Sequence, residues 1–239
     1  RCLRVDLDML TRRGGVAVSG AARGGSAMAD YLFFDVDDTL YVNGGRTRRK
    51  MDTAVSAYLQ ALGLGKAYGD ELYNEYGTTV KGLVERGHLT GEQVEDYLTA
   101  VHDIDLSDVK KDPQLHGMLN KLKANKKMWV FTASTKEHVQ RVLRRIGIED
   151  DFDGIVDCRA TQFHTKHSSQ AFELAMQKAG ATERKTCWLF DNESENIRAA
   201  KHAQWQTCFI GEDGPTEADY SLRSVLEIDT ALPFLFDSS

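Results

Sequence analysis

The sequence predicts an α/β fold, a doubly wound parallel sheet into which a helical cap is inserted. Short apolar runs of strand length recur along the chain, and the later runs are separated by amphipathic segments of helix length. This alternation indicates parallel strands joined by right-handed crossovers. Between residues 40 and 112, by contrast, apolar residues recur at helical spacing without an intervening strand pattern, which predicts the cap.

The predicted core strands are apolar, β-branched or aromatic runs, which are typical of strands buried on both faces. They are Tyr31–Phe34, Met128–Phe131, Ile155–Val156, Cys187–Phe190 and Thr207–Ile210. Between the later runs, helices are predicted over Lys136–Ile146, Ser168–Ala179 and Ser194–His202. Gly147 and Gly180 follow the first two of these helices, and glycine there is a common helix stop signal.

The chain is expected to divide into three parts. Residues 28–40 and 112–239 are predicted to form the sheet core, residues 41–111 the helical cap, and residues 1–27 a flexible basic leader. The leader has five arginines and two aspartates, a net charge of +3, so the remaining residues must carry −9 for the chain to total −6. We expect a cytoplasmic location, with an organelle as the alternative if the leader is the remnant of a transit peptide.

Composition argues against several classes of protein. The chain has 239 residues, of which 41% are apolar and 28% charged, as in soluble globular proteins. No uninterrupted apolar run approaches the roughly 18 residues that predict a membrane span. A net charge of −6 argues against a nucleic-acid polymer as partner, because backbone binding needs a basic face. The four cysteines form no CxxC pair, so neither a zinc site nor a disulfide framework is indicated. The oligomeric state stays open.

The strongest functional signal is the acidic segment DVDDT at residues 35–39, directly after the first predicted strand. Ligands of open α/β sheets bind at the carboxyl ends of strands. Three acidic side chains at such a position would repel one another without a cation. Mg²⁺ prefers carboxylate and phosphate oxygens, so the segment predicts a site for Mg²⁺ and a phosphoester.

Three further residues stand near later strand ends. Thr132, with Ala133, follows the second core strand at a predicted helix start, where a hydroxyl and free backbone N–H groups can hold phosphate oxygens. Lys166 precedes another predicted helix and can neutralise a phosphoryl group, and Asp191 ends the fourth strand with a further carboxylate. An acid, a hydroxyl, a lysine and an acid in this order rarely occur together by chance.

These residues resemble the haloacid dehalogenase-like (HAD-like) superfamily of phosphotransferases over residues 28–236, which implies a HAD-like Rossmannoid core. Within the superfamily, the chain resembles the pyrimidine 5′-nucleotidase branch with a helical cap. The narrower resemblance rests on the segments FFDVDDTLY at 33–41, YGTTVKGLV at 76–84, GIEDDFDGI at 147–155 and ADYSL at 218–222.

The resemblance implies a Mg²⁺-dependent phosphomonoesterase acting on a small phosphate ester, a pyrimidine nucleoside 5′-monophosphate. Asp35 would attack phosphorus to form an aspartyl-phosphate. Asp37 would protonate the leaving alkoxide and then deprotonate the attacking water. Thr132 and Lys166 would hold the phosphoryl oxygens. Asp35, the backbone carbonyl of Asp37, and Asp191 would ligate Mg²⁺.

Two residues just past the first strand, Tyr41 and Asn43, are predicted to contact the substrate, as are Ala133 and its neighbours in the phosphate loop. Asp37 also indicates which of two reactions of the superfamily to expect, hydrolysis of phosphate esters or of alkyl halides. A halide leaving group needs no general acid, so an aspartate at this position favours phosphate esters over alkyl halides.

The sequence departs from the branch at several points. Asn192 and Glu193 follow Asp191 where the branch usually has Asp and Ser, Ala133 replaces a usual Asn, and the loop around Lys166 lacks its usual prolines. These departures motivate an alternative, a non-catalytic HAD-fold protein that serves as a binding or assembly subunit. A further alternative is a phosphatase for another small metabolite, such as a sugar phosphate or phosphoglycolate.

Overall fold

The computed structural model describes residues 31–236. Its centre is a parallel sheet of six strands in the order β3-β2-β1-β4-β5-β6. The strands are β1 (Tyr31–Phe34), β2 (Lys127–Phe131), β3 (Gly154–Val156), β4 (Cys187–Asp191), β5 (Gln206–Ile210) and β6 (Tyr220–Leu222). The predicted doubly wound α/β fold is thus confirmed. The leader predicted for residues 1–27 lies outside the described residues.

Residues 31–236 also contain nine α-helices, of which the first eight lie between strands and the ninth follows β6. They are α1 (Arg46–Ala61), α2 (Lys66–Tyr76), α3 (Thr79–Glu85), α4 (Glu92–His102), α5 (Pro113–Lys123), α6 (Lys136–Ile146), α7 (Ser169–Ala179), α8 (Ser194–His202) and α9 (Ile228–Ala231). The three core helices predicted from the sequence correspond to α6, α7 and α8. Gly147 and Gly180 are left-handed at the ends of α6 and α7, which confirms them as stop signals.

The sheet is covered on both faces because successive residues of its strands point to opposite sides. Leu32 and Phe34 of β1 pack with the apolar faces of α5 and α6, whereas Phe33 between them packs with α7 and α8. The rings of Phe34 and Phe190 stack at 4.5 Å between centroids. Continuous apolar runs in the central strands follow from this two-sided burial.

Helices α1 to α4 form the cap, inserted between β1 and α5, and they lie inside the range predicted for it. Their inward faces build a separate apolar cluster that includes Leu59, Leu72, Leu83 and Tyr97. Cys158, from the core segment after β3, joins this cluster and ties the cap to the core. Within residues 31–236, no helix is both long and apolar enough to cross a membrane.

Candidate active site

Asp35 and Asp191 lie side by side at the carboxyl edge of the sheet. Phe34 of β1 is paired with Phe190 of β4, so the next residue on each strand is an aspartate. The backbone N–H of Asp35 donates to the carbonyl of Phe190 at 2.9 Å. The Asp191 side chain is fully buried, and both of its oxygens accept hydrogen bonds from Nδ2 of Asn196 at 3.0 and 3.1 Å. Adjacent parallel strands thereby bring two carboxylates from distant parts of the sequence together.

The ammonium group of Lys166 bridges these two carboxylates. Its Nζ lies 2.5 Å from Oδ1 of Asp35 and 2.6 Å from Oδ2 of Asp191, and only 4% of the side chain is exposed. Nζ also lies 5.4 Å from the ring centroid of Phe131, within cation–π range. Burial acts to lower the pKa of Lys166, but the charges of Asp191 and Asp35 outweigh it and raise the pKa. The lysine therefore stays charged.

The carboxyl group of Asp35 has a strongly perturbed pKa. Burial is the largest cause and raises the pKa to about 7, with the negative charges of Asp191 and Asp37 adding to the effect and Lys166 opposing it. Lys166 thus contacts two carboxylates, and the charge of a third, Asp37, also acts on Asp35. The site therefore has more negative than positive charge, and this excess favours the binding of a cation.

Asn192 and Glu193, the two residues after Asp191 that differ from the branch pattern, both make hydrogen-bond contacts at the site. The hydroxyl of Thr39 lies 3.2 Å from Oδ2 of Asp35 and 3.2 Å from Oδ1 of Asn192. The backbone N–H of Glu193 donates to Oδ1 of Asp191 at 2.9 Å. Glu193 therefore helps to hold Asp191 in place, whereas Asn192 and Asp35 compete for the single hydroxyl proton of Thr39.

Asp37, two residues after Asp35, is held by a different set of partners. The hydroxyl of Tyr41 donates to its Oδ1 at 2.5 Å, and Nε2 of His138 lies 3.4 Å from the same oxygen. Burial acts to raise the pKa of Asp37, but the hydrogen bond and charge of His138 and the hydrogen bond of Tyr41 outweigh it and lower the pKa. Burial raises the pKa of Tyr41, so its hydroxyl remains a donor.

His138 was missed by the sequence analysis. It occupies the first turn of α6, where its backbone N–H donates to the side chain of the capping residue Thr135. It lies on the buried stripe of that helix together with Val139, Val142 and Ile146. A histidine on an otherwise apolar helix face, in the first turn of the helix that follows a functional strand end, is the signal that could have identified it.

The phosphate loop predicted after β2 lies at the same edge of the sheet. Thr132 is 4% exposed, and its Oγ1 accepts a hydrogen bond from the backbone N–H of Ser134 at 3.1 Å. Thr132, Ala133 and Ser134 all line the cavity described below. The loop thus presents a hydroxyl group and a tight turn beside Asp35.

Tyr41 and Asn43, which were predicted to contact the substrate, do not line the cavity described below. Tyr41 turns inward to Asp37, and Nδ2 of Asn43 donates to Oγ1 of Thr47 at 2.9 Å and to Asp108 at 3.2 Å. Asp38, which precedes both, is in the left-handed region at φ 58°, and its Oδ1 accepts from the backbone N–H groups of Asn43 and Gly45 at 3.1 and 3.2 Å.

A cavity of about 590 Å³ lies between the core and the cap. This volume is within the range of small-molecule sites. Its core side includes Asp35, Asp37, Thr132, Ala133, Lys166 and Asn196, and its cap side includes Met51, Val55, Tyr73, Tyr97, Leu98 and Val101. The floor is therefore charged and polar. The opposite wall is mixed, because charged and polar cap side chains such as Arg48, Asp52 and Lys66 line it beside the apolar and aromatic ones.

Two carboxylates, those of Asp35 and Asp191, are the candidate metal ligands. Within the described part of the chain, no group of three or more His, Cys, Asp or Glu side chains is arranged to hold a metal ion. The side chain of Asp37 is already engaged by Tyr41 and His138, which leaves its backbone carbonyl as the third candidate donor. Mg²⁺ commonly takes one or two carboxylates and completes its shell with water and phosphate oxygens, so this donor set fits it.

Solved structures share this fold. CbbY from Rhodobacter sphaeroides, in complex with phosphate, has a TM-score of 0.60 and 20% identity over 84% of this chain and 96% of that one. The HAD-hydrolase YfnB from Bacillus subtilis, bound to magnesium, has a TM-score of 0.53 and 14% identity over 86% of this chain and 99% of that one.

Sequence comparison identifies the family. Phosphate metabolism protein 8 from Saccharomyces cerevisiae is 32% identical over 186 residues, which cover 71% of this chain but only 57% of that protein. The chain thus spans little more than half the length of this relative. The model of the haloacid dehalogenase-like hydrolases matches residues 29–204. The chain therefore belongs to the haloacid dehalogenase-like hydrolase family.

Proposed function

We propose that this chain is a Mg²⁺-dependent phosphomonoesterase that works through an aspartyl-phosphate on Asp35. The observation that carries the proposal is the contact of Lys166 with both Asp35 and Asp191. Asp35, Lys166 and Asp37, two residues from the nucleophile, line the floor of a capped cavity. A hydrolase of alkyl halides would have no use for an acid at Asp37, whereas an alkoxide leaving group needs one.

In this mechanism, a carboxylate oxygen of Asp35 attacks phosphorus and the bond to the leaving oxygen breaks. Lys166 and the Thr132 hydroxyl hold the phosphoryl oxygens and stabilise their charge in the transition state. Asp37, ionised in the free chain, takes up the proton of the phosphomonoester monoanion as it binds and gives that proton to the departing alkoxide. It then takes a proton from the water that attacks the phosphoenzyme, releasing phosphate and restoring Asp35.

Asp35, Asp191 and the carbonyl of Asp37 would hold Mg²⁺, which supplies charge neutralisation between the carboxylates and an anionic substrate. The shortage of positive charge around Asp35 supports this assignment, because burial and neighbouring carboxylates raise its pKa to about 7 even with Lys166 in contact. The binding of magnesium by YfnB, which shares the fold, also supports it.

For the substrate we propose a nucleoside 5′-monophosphate with a pyrimidine base. The cap wall offers the aromatic rings of Tyr73 and Tyr97, against which a flat base can pack. Polar side chains of the same wall, such as Asp52 and Ser56, can form hydrogen bonds with the edge of the base. The phosphate in the CbbY complex and the name of the yeast relative, Phosphate metabolism protein 8, are in keeping with phosphate chemistry. A sugar phosphate or phosphoglycolate is the alternative substrate class.

A panel of phosphomonoesters, assayed for phosphate release with and without Mg²⁺, tests the proposal. We expect release from UMP and CMP only with Mg²⁺, and none from the Asp35→Asn variant. The matched control is Asp213→Asn, which removes an exposed carboxylate outside the cavity and should leave turnover unchanged. Preference for sugar phosphates would reassign the substrate class. No turnover, together with no Mg²⁺ binding by calorimetry, would favour the non-catalytic binding subunit.

A further inference from the structure

The hydroxyl of Tyr41 makes the shortest contact to Asp37, at 2.5 Å from Oδ1. The same hydroxyl lies 2.8 Å from Oγ1 of Thr47, which in turn lies 2.9 Å from Nδ2 of Asn43. Thr47 is 1% exposed and stands in the first turn of α1, the first helix of the cap. A continuous row of polar groups thus runs from the start of the cap to Asp37.

The donors in this row have one consistent direction. An ionised carboxylate only accepts, so the single proton of the Tyr41 hydroxyl is given to Asp37. The Thr47 hydroxyl must then donate to the Tyr41 oxygen, and its own oxygen accepts from the amide of Asn43. Each member has its donor and acceptor satisfied, and such fully satisfied buried rows hold their members rigidly.

The row restrains one oxygen of Asp37 and leaves the other without a short contact. Oδ1 takes the Tyr41 hydrogen bond. Nε2 of His138 lies 3.4 Å from both oxygens, and within residues 31–236 Oδ2 has no shorter polar contact. Asp37 lines the cavity, and Tyr41 does not. Tyr41 therefore acts from behind the carboxylate, on the side away from the substrate.

We propose that Tyr41, supported by Thr47, is a positioning residue that fixes the Asp37 carboxylate so that Oδ2 faces the leaving group. This inference rests on the proposed function, because it assigns Asp37 the proton transfer described there. A correctly aimed acid matters most for substrates whose leaving group is a poor one. A nucleoside 5′-alkoxide is such a group, whereas p-nitrophenolate departs without a proton.

The test compares UMP with p-nitrophenyl phosphate as substrates of the Tyr41→Phe variant in the presence of Mg²⁺. General acid catalysis contributes about 10²–10⁴-fold, so we expect kcat/KM for UMP to fall by about 10-fold or more, with less than about 3-fold loss for p-nitrophenyl phosphate. The control is Tyr68→Phe, which removes a cap hydroxyl that contacts His88 at 3.0 Å and should lower neither value. Equal losses on both esters, or no loss on UMP, would overturn the inference.

Two further measurements keep the test decisive. If Tyr41→Phe does not fold, Thr47→Val removes the supporting hydroxyl and should produce a smaller loss that is again confined to UMP. A crystal structure of either variant should show the Asp37 carboxylate rotated or in two orientations, and a single unchanged orientation would contradict the inference without reference to activity. Inactivity of the unmodified chain on both esters would instead count against the proposed function.

Discussion

Replacing Asp35 with asparagine should stabilise the metal-free protein above neutral pH, although it abolishes catalysis. Burial, together with Asp191 and Asp37, raises the pKa of Asp35 from 3.8 to about 7 despite the contact with Lys166. The folded chain therefore keeps this proton over a pH range in which the unfolded chain has lost it. Stability must fall as the pH rises from about 4 to about 7, and the full cost of the ionised group is present above about pH 7.

The size of the effect follows from the pKa. At about 1.4 kcal/mol per pH unit, the difference between 3.8 and about 7 corresponds to about 4 kcal/mol. Asparagine resembles the protonated acid in shape, but its amide offers Lys166 only one oxygen, so we expect about half of this value, about 2 kcal/mol. In a domain of this size, that gain raises Tm by roughly 4–8 °C at about pH 8.

Thermal unfolding of chelator-treated protein, followed by circular dichroism from about pH 5 to about pH 8, measures this difference. The gain should shrink as the pH falls, because Asp35 of the unmodified chain then becomes protonated. The exposed carboxylate of Asp213 provides the matched control, since its change to asparagine should not alter Tm with this pH dependence. A variant that is no more stable than the parent at about pH 8, or whose gain is independent of pH, would refute the reasoning.

Three further variants test the cap. Gly77→Ala should lower the free energy of unfolding in urea by about 1 kcal/mol or more, because φ is 83° and the new Cβ would lie 3.2 Å from Cγ2 of Thr165; an unchanged midpoint would contradict this contact. Glu95→Gln should cost less than about 1 kcal/mol, since its ion pair with Arg159 is exposed, and a loss above about 2 kcal/mol in the same assay would show tighter coupling. Tyr73→Ala should raise KM for UMP but not for methyl phosphate, which lacks a base, and equal changes for both esters would remove Tyr73 from base recognition.

Much of the core fold could be predicted because its strands are buried on both faces. The apolar runs around Phe34 and Phe190 mark strands directly, and an aspartate after each predicts a site at the shared edge. The strand β6 was missed because Tyr220–Leu222 is only three residues long and contains a serine. Helix α5 was also missed, although Asp112 caps it and Pro113 is its first residue. The next strand, β2, begins only at Lys127, fourteen residues after Pro113.

Site residues whose positions follow from neighbouring strands and helices could be predicted. Those brought to the site only by tertiary packing were missed. Thr132 and Lys166 could be found from their places relative to strands and helices. The partnership of His138 with Asp37 could not, because 101 residues separate them and only the packing of α6 brings them together. Tyr41 was predicted to contact substrate, but its hydroxyl donates to Asp37 and the residue does not line the cavity. A single sequence does not show to which side of the strand end this side chain turns.

Trapping the phosphoenzyme tests the central claim most directly. In the Asp37→Asn variant, p-nitrophenyl phosphate should still phosphorylate the chain, because its leaving group needs no proton, whereas hydrolysis should stall without a base. With Mg²⁺ present, intact-protein mass spectrometry should find one added phosphoryl group per chain, and peptide mapping should place it on Asp35. No adduct, an adduct on another residue, or an adduct that persists when Asp35 is also changed to asparagine would contradict the proposed mechanism.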